Sequence, residues 1–179
     1  MCRDAPREPI RRVRTRPRVS SPSRGDGGTG AAPRLSDAAK RLLDARNFAH
    51  LATLMEDGAP KVEPVWIARE GERVLVATDE RTQKGRNMRR DARIALSVVD
   101  AENPYAQLLI RGRVVEIRPD RDLSGLDALS RKYLGRPFPR RSWPSRAVYV
   151  IEPSLARHRV SPLVHERSLA AGAPEEDPS

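Results

Sequence analysis

Between Thr78 and Arg90 the chain reads Thr-Asp-Glu-Arg-Thr-Gln-Lys-Gly-Arg-Asn-Met-Arg-Arg. Arg81, Lys84, Arg86, Arg89 and Arg90 therefore crowd one short window, beside the hydroxyls of Thr78 and Thr82. The flanking residue pattern places the window at a strand-to-helix corner, where free N–H groups and the positive end of a helix dipole attract anions. A lysine point charge with arginine forks around it is a donor set suited to phosphate. Gly85, next to Lys84, would leave backbone room for a bulky anion. The competing reading is a solvated basic helix whose charges face water. The window is not a P-loop, because G-x-x-x-x-G-K-[ST] is missing.

Other catalytic patterns are absent from the sequence: no G-x-G-x-x-G after a strand, no G-x-S-x-G, no H-E-x-x-H. Glu63 could serve as an acid or base, but a solvent-facing strand carboxylate is the simpler reading. Cys2 is the lone cysteine, and His50, His158 and His165 lie far apart, so no metal site is expected. No residue stands out as catalytic. If the chain is an enzyme, a bound cofactor must carry the chemistry, with the protein supplying position and electrostatics.

The elements that must position these residues fit into one domain's length. The chain has 179 residues, 38% hydrophobic and 32% charged, with a net charge of +10. Only Lys40, Lys61, Lys84 and Lys132 are lysines, so the positive charge is almost all arginine. Residues 1–33 carry eight arginines against Asp4, Glu8 and Asp26, with five prolines and few large apolar side chains. That stretch reads as a disordered tail, passive rather than a nucleic-acid-binding arm. Residues 168–179 read as a short acidic tail, leaving 34–167 as the folded domain. No apolar run approaches the ~18 residues of a membrane span, and none opens the chain, so a cytoplasmic protein without a membrane partner is expected.

Within the domain, Ser36 or Asp37 can cap a helix through Arg46. Period-2 patterns then predict strands at 48–55, 61–68 and 74–78, linked by turns at Gly58 and Gly71 as a three-stranded antiparallel meander. Pro64 marks an edge or a bulge in the second of these. A short helix at 84–90, strands at 94–99 and 107–117, a helix at 120–134 and a strand at 147–151 follow, with a short seventh around 158–160. Gly112 predicts a bulge. Leu123, Leu126 and Leu129 form a core-facing stripe, and Trp143 reads as a packing clamp in a proline-rich linker. The pattern suggests a small closed antiparallel barrel, since closure removes sheet edges.

Five short motifs occur in one collinear order: Leu51-Ala52-Thr53 before Asp57-Gly58-x-Pro60, Pro64-Val65-Trp66, Lys84-x-Arg86-Asn87 before Arg89-Arg90-Asp91, Pro104-Tyr105, and Arg111-Gly112. Over Leu35–Val160 this order resembles the pyridoxamine 5′-phosphate oxidase-like, flavin- and deazaflavin-binding split-barrel superfamily, and within it the coenzyme F-420-dependent oxidoreductases. One departure is Ala92, where many relatives carry proline after Arg90-Asp91.

The resemblance implies a mainly β fold with flanking helices, a six-stranded antiparallel split barrel pairing as a homodimer. It also implies hydride transfer from reduced F-420 to a small organic substrate. The alternatives are an FMN-dependent oxidase of the same fold, or a non-catalytic split barrel that binds a cofactor or nucleic acid. By the same analogy the cofactor phosphate falls to Lys84, with Arg81, Thr82, Thr78 and Arg86 at the corner and Lys61 from the second strand. Pro64, Val65 and Trp66 would face the ring, Asn87 would hold the loop, and Tyr105 would reach the neighbouring subunit's site.

Overall fold

The computed structural model describes residues 34–140 and 142–163. The expected tails at 1–33 and 168–179, the domain's last residues and His165 lie outside the described residues. Helix α1 (Asp37–Asp44) starts at Ser36, whose hydroxyl accepts from the Ala39 N–H at 3.2 Å. It is followed by β1 (Ala49–Leu54), β2 (Pro60–Val65), β3 (Ala68–Glu70) and β4 (Arg73–Asp79). Helix α2 (Gln83–Arg90), β5 (Arg93–Val99), β6 (Ala106–Pro119), α3 (Ser124–Leu134) and β7 (Arg146–Val160) complete the order. No helix among the described residues is long and apolar enough to cross a membrane.

All seven strands form one antiparallel sheet in the order β2-β1-β5-β6-β7-β4-β3. Its two end strands, β2 and β3, are separated in sequence only by Trp66 and Ile67, so the chain itself closes the split barrel. Alternate residues point inward, as Ile94, Leu96 and Val98 do on β5. They meet Leu43, Leu51, Ile67, Val76, Ile110 and Tyr149 in one core, with Met88 of α2.

Three expectations are corrected. The meander does not form: the second expected strand breaks after Val65, its first half pairing β1 and its second half pairing β4 on the opposite edge. The count of six strands becomes seven for that reason. The break is stabilised from outside the sheet, because Tyr133 of α3 accepts from the Ile67 N–H at 3.2 Å and Lys132 donates to the Ile67 carbonyl at 2.8 Å. The strands expected at 147–151 and 158–160 are one strand, β7, whose Pro153 sits opposite Gly112 at a register shift in β6. A Cβ at Gly112 would collide with the Glu152 carbonyl, so the predicted irregularity has a steric cause. Helix α3 begins four residues later than expected, because Asp120 turns back to accept from the Gly125 and Leu126 N–H groups, both at 2.9 Å.

Candidate functional site

A cleft of about 280 Å³ opens where β2, β4 and the start of β7 face α3 and the connection at 135–145. That is close to the lower end of ligand pockets, roughly 300–1,000 Å³. Pro64, Val65 and Trp66 line it from the strand break, and Ala77 and Thr78 from β4. Leu126 and Leu129 of α3 form an apolar wall, so part of the stripe expected to serve only the core serves the cleft.

Its most distinctive feature is aromatic. The chain has two Trp, three Tyr and two Phe. Five of these follow one another around the cleft. Phe48 lies 5.4 Å from Tyr133 between ring centroids, and Tyr133 stacks on Trp66 at 5.1 Å with planes 5° apart. Phe138 meets Trp66 edge-on at 6.4 Å and Trp143 at 6.1 Å. Only 4% of the residues are aromatic, and the fold concentrates them at one place.

Asp79, buried at the end of β4, holds the far wall. Its carboxylate accepts from Trp143 Nε1 at 2.6 Å, the Ser145 hydroxyl at 2.7 Å and the Arg81 N–H at 2.8 Å. The guanidinium of Arg81, foremost, and these donors hold the Asp79 carboxyl well below the usual carboxylate range. Trp143, expected to be a packing clamp, is therefore a fixed wall of the cleft. Its ring lies between Arg140, 4.2 Å away, and Arg146, 4.6 Å away.

Two cations reach the cleft, in different states. Lys84, 17% exposed, binds Glu63 Oε2 at 2.9 Å, and Lys61 binds the other oxygen at 2.7 Å. Burial pushes the Glu63 carboxyl up, but the two ammonium groups pull it net below its usual range. Arg146 is 8% exposed, and its buried Nε has no hydrogen-bond partner. Burial lowers its pKa, while Asp120 and Asp79 act against that shift.

Of the residues expected at the site, the structure brings Pro64, Val65, Trp66, Thr78 and Lys84 to the cleft. Lys61 stands behind Glu63, and Arg81 is bound to Asp79. Thr82 caps α2, accepting from the Gly85 N–H at 3.2 Å. Arg86 is exposed and bonded to Gln83, and Asn87 is fully buried against the Thr53 hydroxyl at 3.0 Å. Tyr105 sits in the β5–β6 turn and does not line the cleft. Gly85 does not make room for an anion: a Cβ there would lie 2.7 and 2.8 Å from the carbonyl oxygens of Asp79 and Glu80. The glycine serves helix packing, and those oxygens would repel an anion. Phe48, Phe138 and Arg146 were missed, since nothing in their local sequence marks them. No group of three or more His, Cys, Asp or Glu side chains that could hold a metal lies among the described residues.

A planar ring carrying an anionic group fits these walls: aromatic and aliphatic faces for the ring, Lys84 and Arg146 for charge, and the Thr78 hydroxyl between polar and apolar linings. Comparison with known proteins agrees with that class. The pattern of the pyridoxamine 5′-phosphate oxidase family matches residues 35–159. An F420 reductase is similar at 32% identity, with a TM-score of 0.62 over 66% of this chain and 94% of that one. Two others share the fold. Rv2991, a conserved hypothetical protein of Mycobacterium tuberculosis, is 21% identical with a TM-score of 0.58, over 81% and 97% of the two chains. General Stress Protein 26 of Bacillus anthracis is 16% identical with a TM-score of 0.54, over 68% and 91%. No curated protein matches the sequence. The chain belongs to the pyridoxamine 5′-phosphate oxidase family, whose members are commonly oxidoreductases and bind flavin-like cofactors.

Proposed function

We propose that this protein is an oxidoreductase that uses reduced coenzyme F-420 to reduce a small organic substrate. The observation that carries the reading is the 32% identity to an F420 reductase across nearly all of that chain. The aromatic run around the cleft supports a planar ring there. When bound, the reduced deazaflavin supplies a hydride, which fits a sequence without an acid–base pair of its own. The protein's part is positional. Trp66 and Leu126 grip a ring by apolar contact, Lys84 offers its ammonium to a phosphate, and the stacked aromatics exclude water. A second reading, FMN in the same cleft, is favoured by the family match itself.

The outer face of the sheet bears on assembly. Val62 and Leu109 are 58% and 38% exposed there, with Ala52 and Ala95 between them. A second copy of the chain covers that face in the proposed homodimer, as apolar patches mark association surfaces. Titration of the purified protein with F-420 and with FMN, followed by absorbance and fluorescence, tests the cofactor. F-420 should bind and resist displacement by equal FMN. Retention of FMN with no uptake of F-420 would transfer the assignment to the second reading.

A further inference from the structure

Charges buried in proteins are paired or ligated, because desolvation without compensation is costly. Arg146 breaks that rule. It opens β7 opposite Asp79 in the ladder and is 92% buried, given its 8% exposure. Its Nε has no hydrogen-bond partner, and among the described residues its guanidinium forms no ion pair, Asp79 being paired with Arg81. The two acids whose fields reach it are committed elsewhere. Asp79 is filled by Trp143, Ser145 and Arg81, and Asp120 caps the first turn of α3. The guanidinium carbon lies over the Trp143 ring, 4.6 Å from its centroid, a contact that attracts the charge but satisfies no N–H donor. The side chain lines the cleft. Lys84, the other cation there, is already ion-paired with Glu63, a carboxylate that it shares with Lys61. Arg146 thus presents to the cleft a largely buried guanidinium whose Nε donor is unsatisfied.

We propose that Arg146 receives an oxyanion, a carboxylate or a phosphate, of the molecule that occupies the cleft. The planar fork matches such a group with two parallel N–H···O bonds. Stacking on Trp143 preorganises it, so little rotamer freedom is lost on binding. This rests on the cleft being the ligand site of the proposed function, not on which coenzyme fills it. The oxyanion has two sources, the coenzyme's phosphate or the acid group of the substrate.

Small aromatic probes test the assignment without turnover. Phenyl phosphate, benzoate and neutral benzyl alcohol are titrated into coenzyme-free wild type, Arg146→Gln and Arg146→Lys, followed by tryptophan fluorescence and thermal shift. The anionic probes should bind wild type about 10- to 100-fold more tightly than the alcohol. Arg146→Gln should erase the preference, and Arg146→Lys should keep part of it. A glutamine variant that keeps the full preference, or a wild type that shows none, overturns the proposal. Arg146→Met gives a second readout: an arginine held for a ligand is a strain on the empty fold, so this variant should melt at or above wild type. A drop of several degrees would make the guanidinium a structural group and overturn the proposal equally.

Comparing FMN with riboflavin, and F-420 with its phosphate-free fragment, then identifies the source. Loss in Arg146→Gln confined to the phosphorylated member assigns the oxyanion to the coenzyme. Unchanged coenzyme affinity in Arg146→Gln, with the coenzyme-loaded variant losing the benzoate binding that loaded wild type shows, assigns it to the substrate. If neither coenzyme binds wild type while the anion preference remains, the proposed function falls and the role of Arg146 stands.

Discussion

Lys84 and Arg146 carry the same charge at one cleft and differ in what already satisfies them. Lys84 must share its ammonium with Glu63, at 2.9 Å, before it can hold a phosphate. A charge-assisted contact is worth about 1.5–3 kcal/mol, and sharing pushes this one to the low end. Lys84→Ala should therefore weaken F-420 binding about 10-fold, the equivalent of ~1.4 kcal/mol. Glu63→Gln should act in the opposite direction, because it frees Lys84 and removes a negative charge that faces the incoming phosphate. Fluorescence titration of both variants reads the two signs together. If both bind F-420 as wild type does, the phosphate lies away from Lys84. The Glu63 carboxyl is held net below its ordinary 4.5, so it stays ionised at neutral pH and its ion pairs are lost only as pH falls below the usual carboxylate range.

At the scale of elements, α3 governs both the strand break and one wall of the cleft. Tyr133 donates to the Asn47 carbonyl at 2.6 Å and accepts from Ile67, and Lys132 donates to the carbonyls of Leu43 and Ile67 at 2.5 and 2.8 Å. Burial pushes the Lys132 ammonium down to about 8 from its ordinary 10.5. Between those values the unfolded chain holds a proton that the folded chain has released. Stability contributed by this group must then rise with pH across the window and stay flat below it. Melting temperatures measured from pH 8 to 10.5 should show that rise relative to Lys132→Met, which should be flat there and less stable throughout. A slope identical in the two proteins would show that Lys132 keeps its ordinary titration in the fold. Nothing in the local pattern announced this strap. Pro64–Ala68 is an apolar run with no glycine or polar turn residue inside it, so the second strand looked continuous, and its break is imposed by side chains more than sixty residues away. The elements whose signals are local were legible: the Ser36 cap, the α2 helix, the bulge at Gly112 and the long β6. The site divided the same way. Pro64-Val65-Trp66, Thr78 and Lys84 came from motifs, whereas Phe48, Phe138 and Arg146 reach the cleft only through tertiary closure.

For the whole molecule, the proposed dimer makes a prediction independent of chemistry. Sedimentation at micromolar concentration should show a particle of twice the 20.0 kDa chain mass, and replacing Val62 and Leu109 together by Asp should reduce it to one chain. A monomeric wild type that still binds coenzyme would sink the shared face. The seam between β2 and β3 has a longer reach than either experiment. Trp66 lines the cleft while Ile67, its neighbour, is sealed in the core with no exposed surface. The two residues act as a keystone: no drift at the ligand-facing position escapes the arch that it locks. The opposite wall is free of that burden, since the connection carrying Phe138 and Trp143 is tied back to the barrel through the Asp79 carboxylate. Changes in that connection can reshape the cleft and keep the arch, so the adaptable half of the cleft is the half that closes nothing.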